Sequence, residues 1–165
     1  MIETARLFLR KPASADVEDP PAFLSDPRVM DFLGGVEEEP GAVVQLWVDG
    51  WDTFPAGKLI VETPDGERIG RVGFNYYDPV SWSRSNAPDA QPELTWALAY
   101  EHWGMGYATE AALAAREWLH APRVISLIVP ENVASQRVAQ RLGAGPEQTI
   151  ELPGYGPHVV WVHPR

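Results

Sequence analysis

The stretch Trp96-Ala-Leu-Ala-Tyr-Glu-His-Trp-Gly-Met-Gly-Tyr-Ala-Thr-Glu-Ala111 holds residue types that can bind an anion through the main chain, without a basic side chain. An apolar run reaches Gly104 and Gly106, and a helix-forming segment begins at once. Glycines let a backbone come close to a ligand, and successive N–H groups at a helix start attract a phosphate or pyrophosphate. Thr109, in the first helical turn, adds a hydroxyl. A tight turn with no ligand uses the same residues, so the motif alone leaves both readings open. No Lys-Ser/Thr pair follows the glycines, so this is not a P-loop, and the third glycine of the dinucleotide fingerprint is missing.

A second constellation lies downstream. Val129-Pro-Glu-Asn-Val-Ala-Ser135 carries an apolar run into another helix, so that Asn132 and Ser135 can face the space beside the first helix. Asn132 equally suits the cap of its own helix. His102, His120, His158 and His163 show no ligand spacing and read as surface or strand-edge groups, so no metal is expected. Trp47 and Trp51 follow helical spacing and read as core, whereas Phe32 and Trp82 are free to line an acceptor pocket. The acidic run Glu37-Glu-Glu39 either draws a cation or is a solvated loop.

These groups need elements to hold them. Leu7 and Leu9 alternate with polar groups and predict a strand over Arg6 to Arg10. Prolines restrict Pro21–Ser25 and Pro27–Leu33 to short helical pieces, and an amphipathic helix is expected from Gly41 to Thr53. Lys58 to Thr63 and Arg68 to Tyr77 read as strands joined by the turn Pro64-Asp65-Gly66. The polar segment Asp78 to Pro92 is a long loop, a candidate for substrate contact. A strand over Glu93–Ala99 then feeds the glycine turn and a helix from Tyr107 to His120. A strand at Val124–Val129 and a helix at Val133–Leu142 follow, with Gly143 as C-cap. Two last strands are expected near Glu147–Leu152 and His158–His163. The class is mixed α/β, with a partly parallel sheet in the second half.

The chain has 165 residues, enough for a single domain over 1–165. No apolar run reaches the roughly 18 residues of a membrane span, and MIETARLFLRK lacks the apolar stretch of a signal peptide. The absence of cysteine excludes disulfides, thiolate metal sites and a cysteine nucleophile, and it suits a cytoplasmic protein. A net charge of −10 disfavours nucleic acid and anionic lipid as partners. The same charge could draw a cationic acceptor.

The motifs together resemble the GNAT superfamily of acyl-CoA N-acyltransferases, in the branch of ribosomal-protein N-acetyltransferases. Thr4-Ala-Arg-Leu-Phe-Leu-Arg10 is similar to its opening strand, and Ser25-Asp-Pro-Arg-Val-Met30 to its early helix. Arg68-Ile-Gly-Arg-Val-Gly-Phe74 matches its strand after the hairpin, and Trp103 to Ala111 fits its glycine segment with only Met105 at a free position. Asn132, Ser135, Val138, Leu142 and Gly143 match its other coenzyme segment. The resemblance implies a splayed central sheet of about seven strands flanked by helices. It implies acetyl-CoA in the V between the fourth and fifth strands, and no metal.

By that resemblance the amides of Gly104, Met105, Gly106, Tyr107, Ala108 and Thr109 would hold the pyrophosphate. The main chain of Ala97, Leu98 and Ala99 would pair with the pantetheine arm, Asn132 would contact the pantetheine or the region near the sulfur, and Ser135 would also bind the coenzyme. Glu93, where the branch has an acid, would be the base or a carboxylate holding a loop. Ser135 would be the acid or a structural hydroxyl. The family's usual tyrosine is replaced by Ala139, and Glu101 stands where relatives carry Gln or Arg. The function implied is acetyl transfer to a primary amine of a small molecule or a protein N-terminus, with a homodimer common among relatives. The alternative is a CoA-binding sensor or partner domain that has lost catalysis.

Overall fold

The computed structural model describes residues 1–165. The strands are β1 (Ile2–Glu3), β2 (Phe8–Arg10), β3 (Lys58–Glu62), β4 (Arg68–Tyr77), β5 (Gln91–Leu98), β6 (Ile125–Ile128), β7 (Gly145–Leu152) and β8 (Gly156–Val162). The helices are α1 (Ser14–Glu18), α2 (Pro27–Met30), α3 (Pro40–Thr53), α4 (Tyr107–Leu119) and α5 (Val133–Arg141). All eight strands form one sheet in the order β1-β2-β3-β4-β5-β6-β8-β7. Neighbours run antiparallel except β5 and β6, which are parallel. The count exceeds the expected seven because the two-residue β1 pairs with β2.

Alternation along the strands sorts side chains onto two covered faces. Leu59, Val61, Val72, Phe74, Leu94 and Trp96 join Ala111, Ala112 and Ala115 of α4 and Ala139 of α5 in the larger core. Alanines along α4 let that helix lie close on the sheet. On the other face, Ile60 and Ala97 pack with Phe23, Leu24, Met30, Val44 and Trp47. Gly70 sits where β4 and β5 approach too closely for any side chain. A Cβ there would lie 2.3 Å from the Ala97 carbonyl oxygen.

Two N-terminal details depart from the sequence reading. The strand expected from Arg6 begins at Phe8, because the Thr4 amide donates to the Leu7 carbonyl and the Leu7 amide to the Thr4 hydroxyl, which turns the chain. Arg6 is thereby aimed at the start of α4, where Nη1 donates to the Met105 carbonyl at 2.9 Å. Helix α1 has no periodicity to announce it at five residues. It is held by charge instead. Arg10 grips Asp16 with two hydrogen bonds of 2.7 and 2.9 Å, and Arg68 adds one of 3.2 Å.

Those bonds from Arg10, outweighing burial, hold the Asp16 carboxyl down to about 2. A lowered folded pKa means the contribution is complete above the unfolded value of 3.8 and is lost as pH falls through about 2. Asp16→Asn should therefore lower stability by about 2–3 kcal/mol at neutral pH and flatten the acid limb below pH 4, read as urea midpoints against pH.

Candidate active site

The site begins where the sheet comes apart. The parallel strands β5 and β6 share a single registered pair, Glu93 with Ile125, and then diverge. The Ala99 amide donates to Ile69 across β4, and the register from Gly70–Leu98 to Tyr77–Gln91 is unbroken. Hydrogen-bonded pairs alternate in an antiparallel ladder, so Ala97, Thr95 and Glu93 also spend their main chain on β4. Leu98, Trp96 and Leu94 turn theirs towards the gap. Trp103 Nε1 takes the Leu98 carbonyl at 2.8 Å, and the Ser126 hydroxyl takes that of Leu94 at 2.6 Å. The main chain of Trp96 is left facing the opening.

Ser126 is itself held by His163 Nε2 at 2.9 Å. Since the hydroxyl hydrogen goes to Leu94, the ring proton sits on Nε2 and Nδ1 is left buried without a partner. His158 and His163 are thus buried groups rather than the surface or edge groups the sequence suggested. His158 stands near the start of β8 opposite Ile150, and His163 follows the end of β8, where its amide bonds the Val124 carbonyl.

The gap is a cavity of about 300 Å³. Its wall includes Ala97, Leu98, Gly104, Gly106, Tyr107, Ala108, Thr109, Asn132 and Ser135, all candidates from the sequence. Ala99 and Met105 lie outside it. Ala99 packs beside the smaller core, and Met105 is half exposed with its carbonyl bound to Arg6. Gly106 starts α4 at φ 81°, a left-handed conformation that any side chain would strain. The Thr109 hydroxyl is buried with no partner. The turn is braced from outside, where Thr4 and Arg6 clamp Glu110 with bonds of 2.6 to 2.9 Å.

Sequence reasoning missed the charge of this cavity. Arg28, Arg137 and Arg141 line it together with His102, and not one of the chain's 23 acidic residues does. Arg137 and Arg141 are four apart on α5 and share its cleft face, a spacing that was visible beforehand. Glu101 does not reach the cavity and bonds Arg28 at its outer edge. Asn132 accepts the Ser135 amide at 3.1 Å, so it caps α5 and still lines the cleft. Ala139 is fully buried and leaves no hydroxyl at that position. An elongate anion with an apolar arm suits this cleft: arginines, free amides and an unpaired hydroxyl at one end, strand backbone along the side.

A smaller cavity adjoins it, and Phe32, Leu33, Trp96, Asn132 and Ser135 line both. Glu93 and Thr95 are among the residues that line the small one alone. Glu93 is buried, and Asn75 Nδ2 donates to its Oε2 at 2.6 Å, leaving Oε1 free. Lys58 Nζ in turn bonds the Asn75 Oδ1 at 2.5 Å and the Phe74 carbonyl at 3.0 Å, which fixes the orientation of that amide. Burial pulls the Lys58 ammonium well below the ordinary lysine value. Burial likewise lowers Arg71, on the same sheet face, to about 10. No cluster of metal-ligating side chains occurs.

Residues 6–145 match the family described as the acetyltransferase (GNAT) domain. The chain belongs to the GNAT acetyltransferases. It is 40% identical over 138 residues to the uncharacterized protein YkkB of Bacillus subtilis, covering 78% of this chain and 74% of that one. An acetyltransferase structure from Agrobacterium tumefaciens superposes with a TM-score of 0.80 at 30% identity, covering 99% of this chain and 94% of the other. The aminoglycoside acetyltransferase AAC(6')-Ib, solved with coenzyme A, superposes at 0.77 over 96% and 95% of the two chains. At 18% identity that likeness concerns the fold alone. In this GNAT chain the V falls between β5 and β6, one later in count than expected because of β1.

The root of the V gives a pH test. Burial lowers His163 from 6.5 to about 4, so its contribution is complete above pH 6.5 and is lost as pH falls through about 4. His163→Gln should keep a donor to Ser126 and remove this limb, leaving a flatter urea midpoint between pH 6.5 and 4 than in the parent protein.

Proposed function

We propose that the protein transfers an acetyl group from acetyl-CoA to a primary amine, of a small molecule or a protein N-terminus. The observation that carries this is the carboxylate-free, arginine-lined cleft between β5 and β6 running into the small cavity that holds Glu93. In this reading the free amides from Gly104 to Thr109, the Thr109 hydroxyl, Arg137 and Arg141 take the pyrophosphate of acetyl-CoA. The pantetheine arm follows the open main chain beside Trp96, and the thioester reaches the junction of the two cavities.

The chemistry then divides among this chain's own groups. Glu93 accepts the proton from the incoming amine on Oε1, the oxygen that Asn75 leaves free. The nitrogen lone pair forms the new bond to the thioester carbon, and the Trp96 N–H, facing the gap, stabilises the negative charge that gathers on oxygen. As the carbon–sulfur bond breaks, the electron pair leaves with sulfur. Ser135, whose hydroxyl makes no hydrogen bond within the protein, gives that sulfur a proton and regains one from solvent. Holding both reactants at one junction supplies much of the acceleration.

The rival reading, a CoA-binding domain without catalysis, draws on the absence of a hydroxyl at Ala139. Turnover of any amine removes it. We also assign the chain to the cytoplasm, because a cysteine-free composition suits a reducing compartment. No helix is long and apolar enough to cross a membrane.

Calorimetry with acetyl-CoA should give micromolar binding that Gly106→Trp abolishes, since the new side chain would fill the turn. Glu93→Gln should keep acetyl-CoA affinity within about twofold and lower kcat by roughly 10²-fold or more, the usual worth of a general base. Absence of acetyl-CoA binding in the wild-type protein would sink the proposal.

A further inference from the structure

Thr95, in the wall of the small cavity, is held by a group that proton transfer does not use. Arg71 is only 9% exposed, yet it forms no ion pair: its guanidinium lies 5.9 Å from the Trp47 ring centre, and its one side-chain hydrogen bond runs from Nη1 to Thr95 Oγ1 at 3.2 Å. A guanidinium stays charged and offers five donors in a fixed fork. A ring face and one hydroxyl offset little of the cost of burying a charge without a counter-ion, so such a group marks a place where an anion is missing.

The neighbouring charges do not fill that role. Glu93 gives one oxygen to Asn75, and Glu37, on the half-buried loop after α2, pairs with nothing. Lys58 and Arg84 face the same region and add positive charge, with Arg84 stacked on Tyr77 at 4.9 Å from the ring centre. A polycation entering here meets a buried guanidinium head on. The net charge of −10 therefore misleads about the acceptor.

We infer that the acceptor amine carries a carboxylate on a short spacer, which Arg71 holds while the nitrogen faces Glu93. The inference rests on the transfer reaction proposed above. Glu93 and Thr95 are two apart on one face of β5, a repeat of about 7 Å, and Arg71 reaches Thr95 directly. An amino carboxylate spans that interval with one hydrogen bond at each end, each about 2.8 Å. The guanidinium fork matches a carboxylate geometrically, whereas Lys58, with its ammonium depressed by burial, contributes a weaker charge.

The test pairs kinetics at saturating acetyl-CoA with calorimetry on the CoA-loaded protein. The probes are free amino acids, their matched carboxamides, a C-terminally blocked aspartyl peptide, and spermidine. At least one carboxylate should exceed its carboxamide or uncharged counterpart tenfold or more, in both kcat/KM and affinity. Preference for the blocked aspartyl peptide would locate the carboxylate on a side chain, and preference for free amino acids at the α position; either supports the inference. Arg71→Gln should bring the ratio near one, chiefly through KM, and Arg71→Lys should restore part of it, with circular dichroism establishing that both variants fold. Carboxamides or spermidine used as well as carboxylates would overturn the inference and leave acetyl transfer standing. Carboxylates bound tightly without product would do the reverse. No binding of any amine overturns it as well.

Discussion

The whole site depends on β5 and β6 parting after one registered pair. A parallel ladder carried further would have consumed the main-chain groups of Trp96 and closed the gap in which a ligand can lie. Instead, backbone donors and acceptors remain available in a place otherwise walled by protein, where unpaired polar groups are expensive. A ligand able to add itself as a strand relieves that cost. The separation is held at its root by side chains rather than by a ladder. The Ser126 hydroxyl reaches the Leu94 carbonyl, and His163 stands behind it. Trp103 does the corresponding work at the outer end, tying the glycine turn to Leu98.

Charge is arranged locally against the grain of the composition. The surface is strongly acidic, yet the cleft is lined by Arg28, Arg137 and Arg141 and by no carboxylate. An anionic ligand experiences the groups within a few ångströms far more than the distant net charge, which solvent and salt screen. The acidic residues that lie near the turn are occupied elsewhere. Glu110 is held below its ordinary range by Thr4 and Arg6 although burial opposes it, and Glu101 bonds Arg28. This frees the glycine turn to meet an anion with backbone alone.

The opposite face of β5 is a buried polar floor built from three neighbouring strands. Lys58 on β3, Asn75 on β4 and Glu93 on β5 form one hydrogen-bonded row, so the orientation of each group follows from the next. Arg71 stands beside that row with most of its donors unused. Such an arrangement is stable only if strand register is firm, because a one-residue slip would turn all four side chains into the apolar core. The close contact at Gly70, which admits no side chain, and the eight consecutive pairs between β4 and β5 fix that register.

Much of this was legible beforehand. The periodicity of Arg68–Tyr77, the glycines at 104 and 106 and the helix signals after them determined strand, turn and helix to within a residue or two, because local sterics and alternation act over short distances. The candidates Gly104 to Thr109, Asn132 and Ser135 follow from the same local logic. The five-residue α1 was not legible, since an ion pair from Arg10 and Arg68 holds it rather than its own pattern. Nor could the chain by itself reveal that β5 and β6 separate after Glu93, that Arg137 and Arg141 share a cavity with Gly106, or that Lys58, Asn75 and Glu93 touch. Those facts belong to residues far apart in sequence, whose meeting is decided only when the packing of helices on both faces sets which strands pair and where they part.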